Sequence, residues 1–220
     1  MSFGDSKAII TNQDGINENL ADIVNKHLTT EFKKPISTHT QQAFDQVNEL
    51  VQGFNGPIIL DSCCGVGQST RIIAKQNPDA LVIGVDKSDN RITRNVDDQW
   101  QVENYHLVRA DLNDFYRLVV QENWPVEKHY ILYPNPWPKA KHVKRRWHGS
   151  AVFPYIIQVG KTIELRSNWR LYLEEFQAAM ALANIDSQLN ELPAGEPLTP
   201  FEAKYLASEQ QCWALTAKIS

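Results

Sequence analysis

From Gly56 onward, short apolar runs alternate with helical stretches, and this alternation restricts the possible folds more than any other feature of the chain. Pro57–Asp61, Leu81–Asp86, Tyr105–Val108 and His129–Tyr133 are too short for helices and rich in Ile, Val, Leu and Tyr. Helical windows near 68–76, 88–98 and 113–122 lie between them. Strands separated by helices of that length imply βαβ units, hence a parallel sheet covered on both faces. Ligands of such sheets bind outside the carboxyl ends of the strands, where the strand order reverses.

The rest of the chain extends this frame. A helix is expected around 149–160 and a strand at Thr162–Leu165; Trp169, Tyr172, Leu173, Phe176 and Met180 then form an apolar helical stripe. Ile185–Leu192 and Cys212–Ile219 read as two late strands, one of them antiparallel, joined across Pro193, Gly195 and Pro197. Ahead of the sheet, Ile16, Leu20, Ile23, Val24 and Leu28 recur at helical spacing, as do Phe44, Val47, Leu50 and Val51. Lys34-Pro35 separates these two helices, because the residue before proline is pushed out of the α region. The expected organisation is a helical appendage over 1–55 and one α/β domain over 56–220.

Composition sets limits on the class. A chain of 220 residues, 42% hydrophobic, excludes disorder. A domain of this size buries roughly 70% of its unfolded surface, so it folds without a metal or disulfide. Six histidines and three cysteines show no metal-ligand spacing. Two of the cysteines, Cys63 and Cys64, are adjacent, and Cys212 has no partner in the pattern, which suits a reducing cytoplasm. No apolar run reaches the roughly 18 residues of a membrane span, and the N-terminus has no secretory pattern. The formal charge is −4, yet Lys139, Lys141, Lys144, Arg145 and Arg146 crowd around His142. One basic island on an acidic protein directs a polyanion to one face; a solvated charge run is the bland alternative.

The first strand ends in Asp61-Ser62-Cys63-Cys64-Gly65-Val66-Gly67-Gln68-Ser69-Thr70. Glycines here let a ligand approach the backbone, and the helix that follows offers unpaired N–H groups. Thr70 stands where a dinucleotide fingerprint has its third glycine. A carboxylate at Asp61 would repel a pyrophosphate but suits a ligand carrying a positive amino group. Asp86, ending the second strand, can accept both hydroxyls of a ribose, and Asp111, after the third, can meet an adenine or its amino group. Each acid has a structural alternative, since Asp at a strand end often caps the next helix. Together the three acids around Gly65 and Gly67 resemble the S-adenosylmethionine site of Rossmann-like methyltransferases, with a nicotinamide cofactor as the competing reading.

The loop after the fourth strand, Tyr133-Pro134-Asn135-Pro136-Trp137-Pro138-Lys139, continues through His142 to Lys144-Arg145-Arg146-Trp147. Three prolines stiffen it, Trp137 and Trp147 offer stacking surfaces, and the cations offer phosphate contacts. Here the chain resembles the tRNA (guanine-N7-)-methyltransferase family, whose motif runs Pro-Asp-Pro-Trp-Pro-Lys before basic residues, a His and Lys-Arg-Arg. Thr199-Pro200-Phe201-Glu202 is similar to that family's Thr-Lys-Phe-Glu, although it is equally a helix capping box. Ser167-Asn168-Trp169 is a looser match to a Thr-Asp. The resemblance spans roughly residues 56–215. It implies a class I methyltransferase fold, with S-adenosylmethionine held by Asp61, Gly65, Gly67, Asp86 and Asp111. It places Asn135 at the methyl-transfer centre, in contact with cofactor and substrate. It also implies tRNA contacts from Lys139, His142, Arg145, Asn168, Thr199 and Glu202.

Asn135 and Asn168 stand where the family carries Asp, each keeping shape and losing charge. Guanine N7 has a free lone pair, so its methylation needs no base; catalysis rests on in-line placement. A nearby carboxylate would stabilise the cationic product ring, and losing one charge pair at 4 Å is worth at most about 4 kcal/mol at an effective dielectric near 20. Three expectations follow: methylation of guanine N7 in tRNA; methylation of another nitrogen, since Asn135-Pro136 is similar to the Asn-Pro-Pro-aromatic motif of amino-group methyltransferases; or a binding module without turnover.

Overall fold

A computed structural model describes residues 6–93, 101–193 and 195–219. Two helices come first, α1 (Leu20–Thr29) and α2 (Thr38–Gln52), followed by β1 (Ile58–Ser62), α3 (Gln68–Gln76), β2 (Leu81–Asp86) and the short α4 (Asp89–Ile92). Next come β3 (Tyr105–Arg109), α5 (Leu112–Gln121), β4 (Val126–Leu132), two 3-10 turns (Ala140–Arg145 and Trp147–Gly149) and α6 (Phe153–Ile156). β5 (Thr162–Ser167), α7 (Arg170–Leu182), β6 (Ser187–Glu191), α8 (Pro200–Ala207) and β7 (Trp213–Lys218) complete the chain.

The seven strands form one sheet in the order β3-β2-β1-β4-β5-β7-β6. β1 to β5 are mutually parallel, and β7 runs antiparallel to both β5 and β6. This is the mostly parallel, doubly flanked sheet with a late antiparallel strand that the residue pattern implied. Central β1, whose five residues are all buried, is a continuous apolar run ending in Asp61-Ser62. β5 instead alternates, its Ile163 and Leu165 facing the larger core while Thr162, Glu164 and Arg166 lie on the other face.

The core is unequal on the two faces. Leu20 and Val24 of α1, Phe44 and Val47 of α2, Phe115 of α5, Phe153 of α6 and Phe176 of α7 pack with Ile58, Leu60, Ile131 and Leu165. A smaller cluster joins Ile73 and Ala74 of α3 to Ile59, Val82, Tyr130 and Leu132. α3 sits so close to β2 that a Cβ at Gly84 would fall 2.3 Å from the Thr70 hydroxyl. α1 and α2 share the sheet's own core, so packing runs without a break across the boundary expected at 55/56. Phe44 stacks on Trp124 at 5.0 Å and meets Phe115 edge-on at 5.2 Å, which locks α2 to α5.

Two expectations differ from the structure. The segment expected to be a helix over 149–160 holds only a four-residue α6 after 3-10 turns. Gly149 is the reason for the turn: a Cβ there would lie 2.2 Å from the Val143 carbonyl, so two turns of backbone are pressed together. The connection between the late strands contains the eight-residue α8, which Thr199 caps by accepting from the Glu202 amide at 2.9 Å. The window at 88–98 is helical over Asp89–Ile92, and residues 94–98 fall outside the described residues.

Candidate active site

The strand order reverses between β1 and β4, and the chosen residues gather at the carboxyl ends there. Asp61 lies near the end of β1, Asp86 ends β2, Asp111 follows β3, Asn135 follows β4 and Asn168 follows β5. Their common edge is a consequence of parallel topology, since every βα connection leaves from the same end.

The glycine loop folds through three left-handed residues, Cys63 (φ 64°), Gly65 (φ 60°) and Gly67 (φ 76°). Cys63 occupies a conformation that glycine adopts without steric cost. The Cys64 amide donates to the Val85 carbonyl at 3.2 Å, tying the loop to β2. A Cβ on Gly65 would meet nothing within 4 Å, so the loop opens onto space at this point. Behind it, Asp61 is fully buried, and its Oδ2 accepts from Ser69 at 2.6 Å and Thr70 at 2.7 Å. Its Oδ1 has no hydrogen-bond partner. Burial pushes the Asp61 carboxyl up to about 6, against the pull of the Ser69 and Thr70 hydroxyls. A buried carboxylate with an unused oxygen under an open glycine loop fits a cationic amino group.

Asp86 receives the Gly65 amide at 3.1 Å and the Ser88 amide at 2.8 Å, with Arg91 3.6 Å away. It therefore holds the glycine loop in place, and lone pairs on both oxygens remain for hydroxyl donors. Asp111 caps α5, accepting from the Asn113 amide and side chain at 2.9 and 2.8 Å, with Lys34 3.8 Å away. The capping alternative thus holds for Asp111, which is half-exposed and faces α2 through its amide's bond to Thr40. No group of three or more potential metal ligands occurs among the described residues.

The loop after β4 has an exposed and a buried side. Tyr133 and Trp137 both take left-handed φ values, 50° and 45°, and bracket Asn135. Such residues persist only where their surroundings over-determine them. Asn135 is exposed, its Oδ1 reached weakly by the Trp137 amide at 3.4 Å. The Arg145 guanidinium lies 4.7 Å from the Trp137 ring centroid, and His142 meets the same ring edge-on at 5.6 Å. Slight desolvation and the cations Arg145, Lys141 and Lys139 draw the His142 pKa below its ordinary value. Lys139, Lys141, Lys144 and Arg145 are exposed.

Arg146 departs from the expectation that it belongs to the basic island. It is fully buried, paired with Glu175, and its guanidinium lies 4.9 Å from the Trp169 ring centroid. Sequence spacing could not separate it from Arg145, because the 3-10 turn ends at Arg145 and the extended backbone at Arg146 turns its side chain to the other side. Glu175 carries a signal that was present in the sequence: an acid on the apolar stripe between Tyr172 and Phe176.

The remaining candidates lie near this edge with their polar atoms engaged. Glu202 is buried and receives Arg166 at 3.1 and 3.3 Å, while Thr199 caps α8. Phe201, between them, is exposed and stacks near Tyr205, whose ring lies 5.5 Å from Tyr133. Asn168 donates through Nδ2 to Gln210 Oε1 at 2.8 Å, and Gln210 in turn donates to the Ser6 carbonyl at 2.7 Å. An Asp at 168 could not donate in this chain of bonds, which gives the amide there a structural reason. A separate cavity of about 740 Å³ lies over the open face of β5 to β7, lined by Lys128, Glu164, Gln188 and Thr216, away from these groups.

Comparisons with known proteins agree with this architecture. The fold matches a 16S rRNA methyltransferase, KamB (TM-score 0.58, 17% identity, covering 85% of this chain and 95% of that one). It also matches an antibiotic-related methyltransferase (TM-score 0.55, 14% identity, 87% and 96%). Relatives named tRNA (guanine-N(7)-)-methyltransferase include one from Lysinibacillus sphaericus, 27% identical over 78% of this chain and 84% of its own length. Another, from Alkaliphilus oremlandii, is 25% identical over 88% and 95%. The model of the family described as "Putative methyltransferase", Methyltransf_4, matches residues 55–215, and the chain belongs to that methyltransferase family.

Proposed function

We propose that this protein transfers a methyl group from S-adenosylmethionine to N7 of a guanine in tRNA. One observation carries the reading: the open glycine loop over Asp61 and the proline loop bearing Asn135 leave neighbouring strands, β1 and β4, at the same edge. Relatives named for this reaction span most of the chain, which supports the same substrate.

The cofactor would supply an electrophilic methyl on a sulfonium sulfur. Asp61 would face its ammonium, Gly65 and Gly67 would leave room for its backbone approach, and Asp86 would accept from its ribose hydroxyls. Asp111, although committed to capping, would accept from the adenine amino group through its half-exposed carboxylate. Asn135 would orient guanine by accepting through its amide oxygen, without the charge assistance of an acid. N7 attacks with its own lone pair, so no residue has to remove a proton, and the proline-stiffened loop contributes by placement. Lys139 and Arg145 would hold tRNA phosphates, and Trp137 with His142 would shape the entry. Asn168, Thr199 and Glu202 would act mainly by fixing the walls of the guanine site. A tRNA substrate would suit a cytoplasmic enzyme; among the described residues no helix is long and apolar enough to cross a membrane.

The test is tritium transfer from labelled S-adenosylmethionine into unmodified bulk tRNA, followed by nucleoside analysis. Label in 7-methylguanosine is expected. Label in another nucleoside, or binding of cofactor without any labelled product, would overturn the reading.

A further inference from the structure

Pro134, Pro136 and Pro138 have no N–H groups, so the loop after β4 cannot close its own ladder, and its carbonyls need partners from elsewhere. They find them in succession. The Trp137 carbonyl accepts from Arg146 Nε and Nη2 at 3.2 and 3.1 Å, and Pro138 accepts from the Thr11 hydroxyl at 2.6 Å. Lys139 accepts from the His142 amide at 2.8 Å and from Arg146 Nη2 at 3.3 Å, and Ala140 accepts from Asn17 Nδ2 at 3.1 Å. The Ala140 amide donates to Asn12 Oδ1 at 3.0 Å. Four consecutive residues of the substrate loop are thus held by Arg146 and by an N-terminal segment more than 120 positions away in sequence.

Both holders converge on one buried carboxylate. Glu175 Oε2 receives Arg146 Nη1, and lies 2.9 Å from His148 Nε2. Its Oε1 receives Gln13 Nε2 and, at 2.9 Å, the Asn17 amide. Gln13 Oε1 closes the ring by accepting from Arg146 Nη2 at 3.1 Å. Glu175, Arg146 and His148 are all fully buried. Such a network contributes geometric uniqueness more than net stability. The same N-terminal segment includes Ser6, whose carbonyl takes the bond from Gln210, the partner of Asn168. It therefore passes the Asn168 turn and then clasps the Asn135 loop.

We infer that Glu175 is a positioning residue and that residues 6–17 form a strap: together they fix the Trp137–Ala140 backbone and so the placement of Asn135. Neither touches the transferred group. The inference rests on the proposed function for its kinetic arm and on the hydrogen bonds alone for its structural arm.

The test uses the full chain with Thr11→Val, Asn12→Ala and Gln13→Ala combined, three substitutions that leave the apolar core untouched. Expected are a drop of about tenfold or more in kcat for tRNA methylation and a Kd for S-adenosylmethionine within about twofold of the unmodified chain, since the strap acts on placement. Amide hydrogen exchange over 139–147 should accelerate by an order of magnitude or more, with β1 and β4 unchanged, as for a locally opened segment. Restoring only Thr11 as Ser, which keeps the hydroxyl, should recover part of the protection. Glu175→Gln should do more on both readouts; if that variant does not fold, the strap variant alone decides. Unchanged exchange in the loop, or faster exchange with unchanged kcat, overturns the inference. If the unmodified chain labels no tRNA, the proposed function fails, and the exchange arm still decides whether the strap holds the loop.

Discussion

Asp61 is fully buried with one oxygen unpartnered, and this combination sets a pH dependence. Its carboxyl is raised to about 6, so near neutral pH it is ionised at a net cost of about 3 kcal/mol, burial outweighing the Ser69 and Thr70 hydrogen bonds. Because the folded value lies above the unfolded one near 3.8, Asp61 favours the folded chain at low pH, and that contribution is lost as pH rises through about 6. A bound ammonium would offset the cost. Calorimetric titration with S-adenosylmethionine should therefore show affinity falling below pH 6, with proton release on binding; Asp61→Asn should abolish that dependence. Affinity independent of pH between 5 and 8 would separate Asp61 from the amino group. The two asparagines are not equivalent. Asn135 makes only an acceptor contact that an acid could also make, so Asn135→Asp should preserve or raise guanine methylation. Asn168→Asp removes a donor to Gln210 and should cost about 1 kcal/mol, measured as a shift in the urea midpoint.

On the element scale, the 3-10 turn Ala140–Arg145 and the residue after it separate two arginines that sequence treats alike. Arg145→Ala should weaken tRNA binding and lower the salt slope by about one, because an exposed phosphate contact releases about one counterion. Arg146→Ala should instead destabilise the fold by about 3–5 kcal/mol, by leaving the buried Glu175 without its guanidinium partner. Binding isotherms at several salt concentrations and denaturation curves for both variants check this division; equal salt slopes for Arg145→Ala and the unmodified chain would remove Arg145 from the contact list. The α8 start divides one motif between a helix cap, an ion pair and an exposed ring. In its Thr199-Pro200-Phe201-Glu202 run Thr199 caps the helix and Glu202 takes the Arg166 ion pair, leaving Phe201 to face solvent.

For the whole molecule, two buried histidines bear on acid stability. Burial drives His129 down to about 3 and lowers His148 despite Glu175 beside it. The unfolded chain takes up the His129 proton below about 6.5 while the folded chain takes it up only near 3, and the lowered His148 acts in the same direction, so folding stability falls as pH drops through that range. Burial would raise Glu175, but His148 and Arg146 hold it down to about 2, adding loss below its ordinary value of 4.5. Asp61 acts oppositely between 6 and 3.8 but with a smaller displacement than His129. The urea midpoint should decline between pH 7 and pH 4.5, and a flat profile would contradict this assignment of buried protons.

The parallel sheet, its strand-end acids and the glycine loop were legible because apolar runs of strand length between helices admit few topologies, and parallel connections all leave from one edge. The basic, proline-rich loop was legible because its composition leaves few backbone donors and crowds cations together. Which arginine faces solvent, which acids cap helices or hold partners, and what satisfies the loop's carbonyls were not. Those outcomes depend on contacts between Gln13, Arg146 and Glu175, segments distant in sequence, and a buried polar atom chooses its partner only when packing has brought all the candidates together.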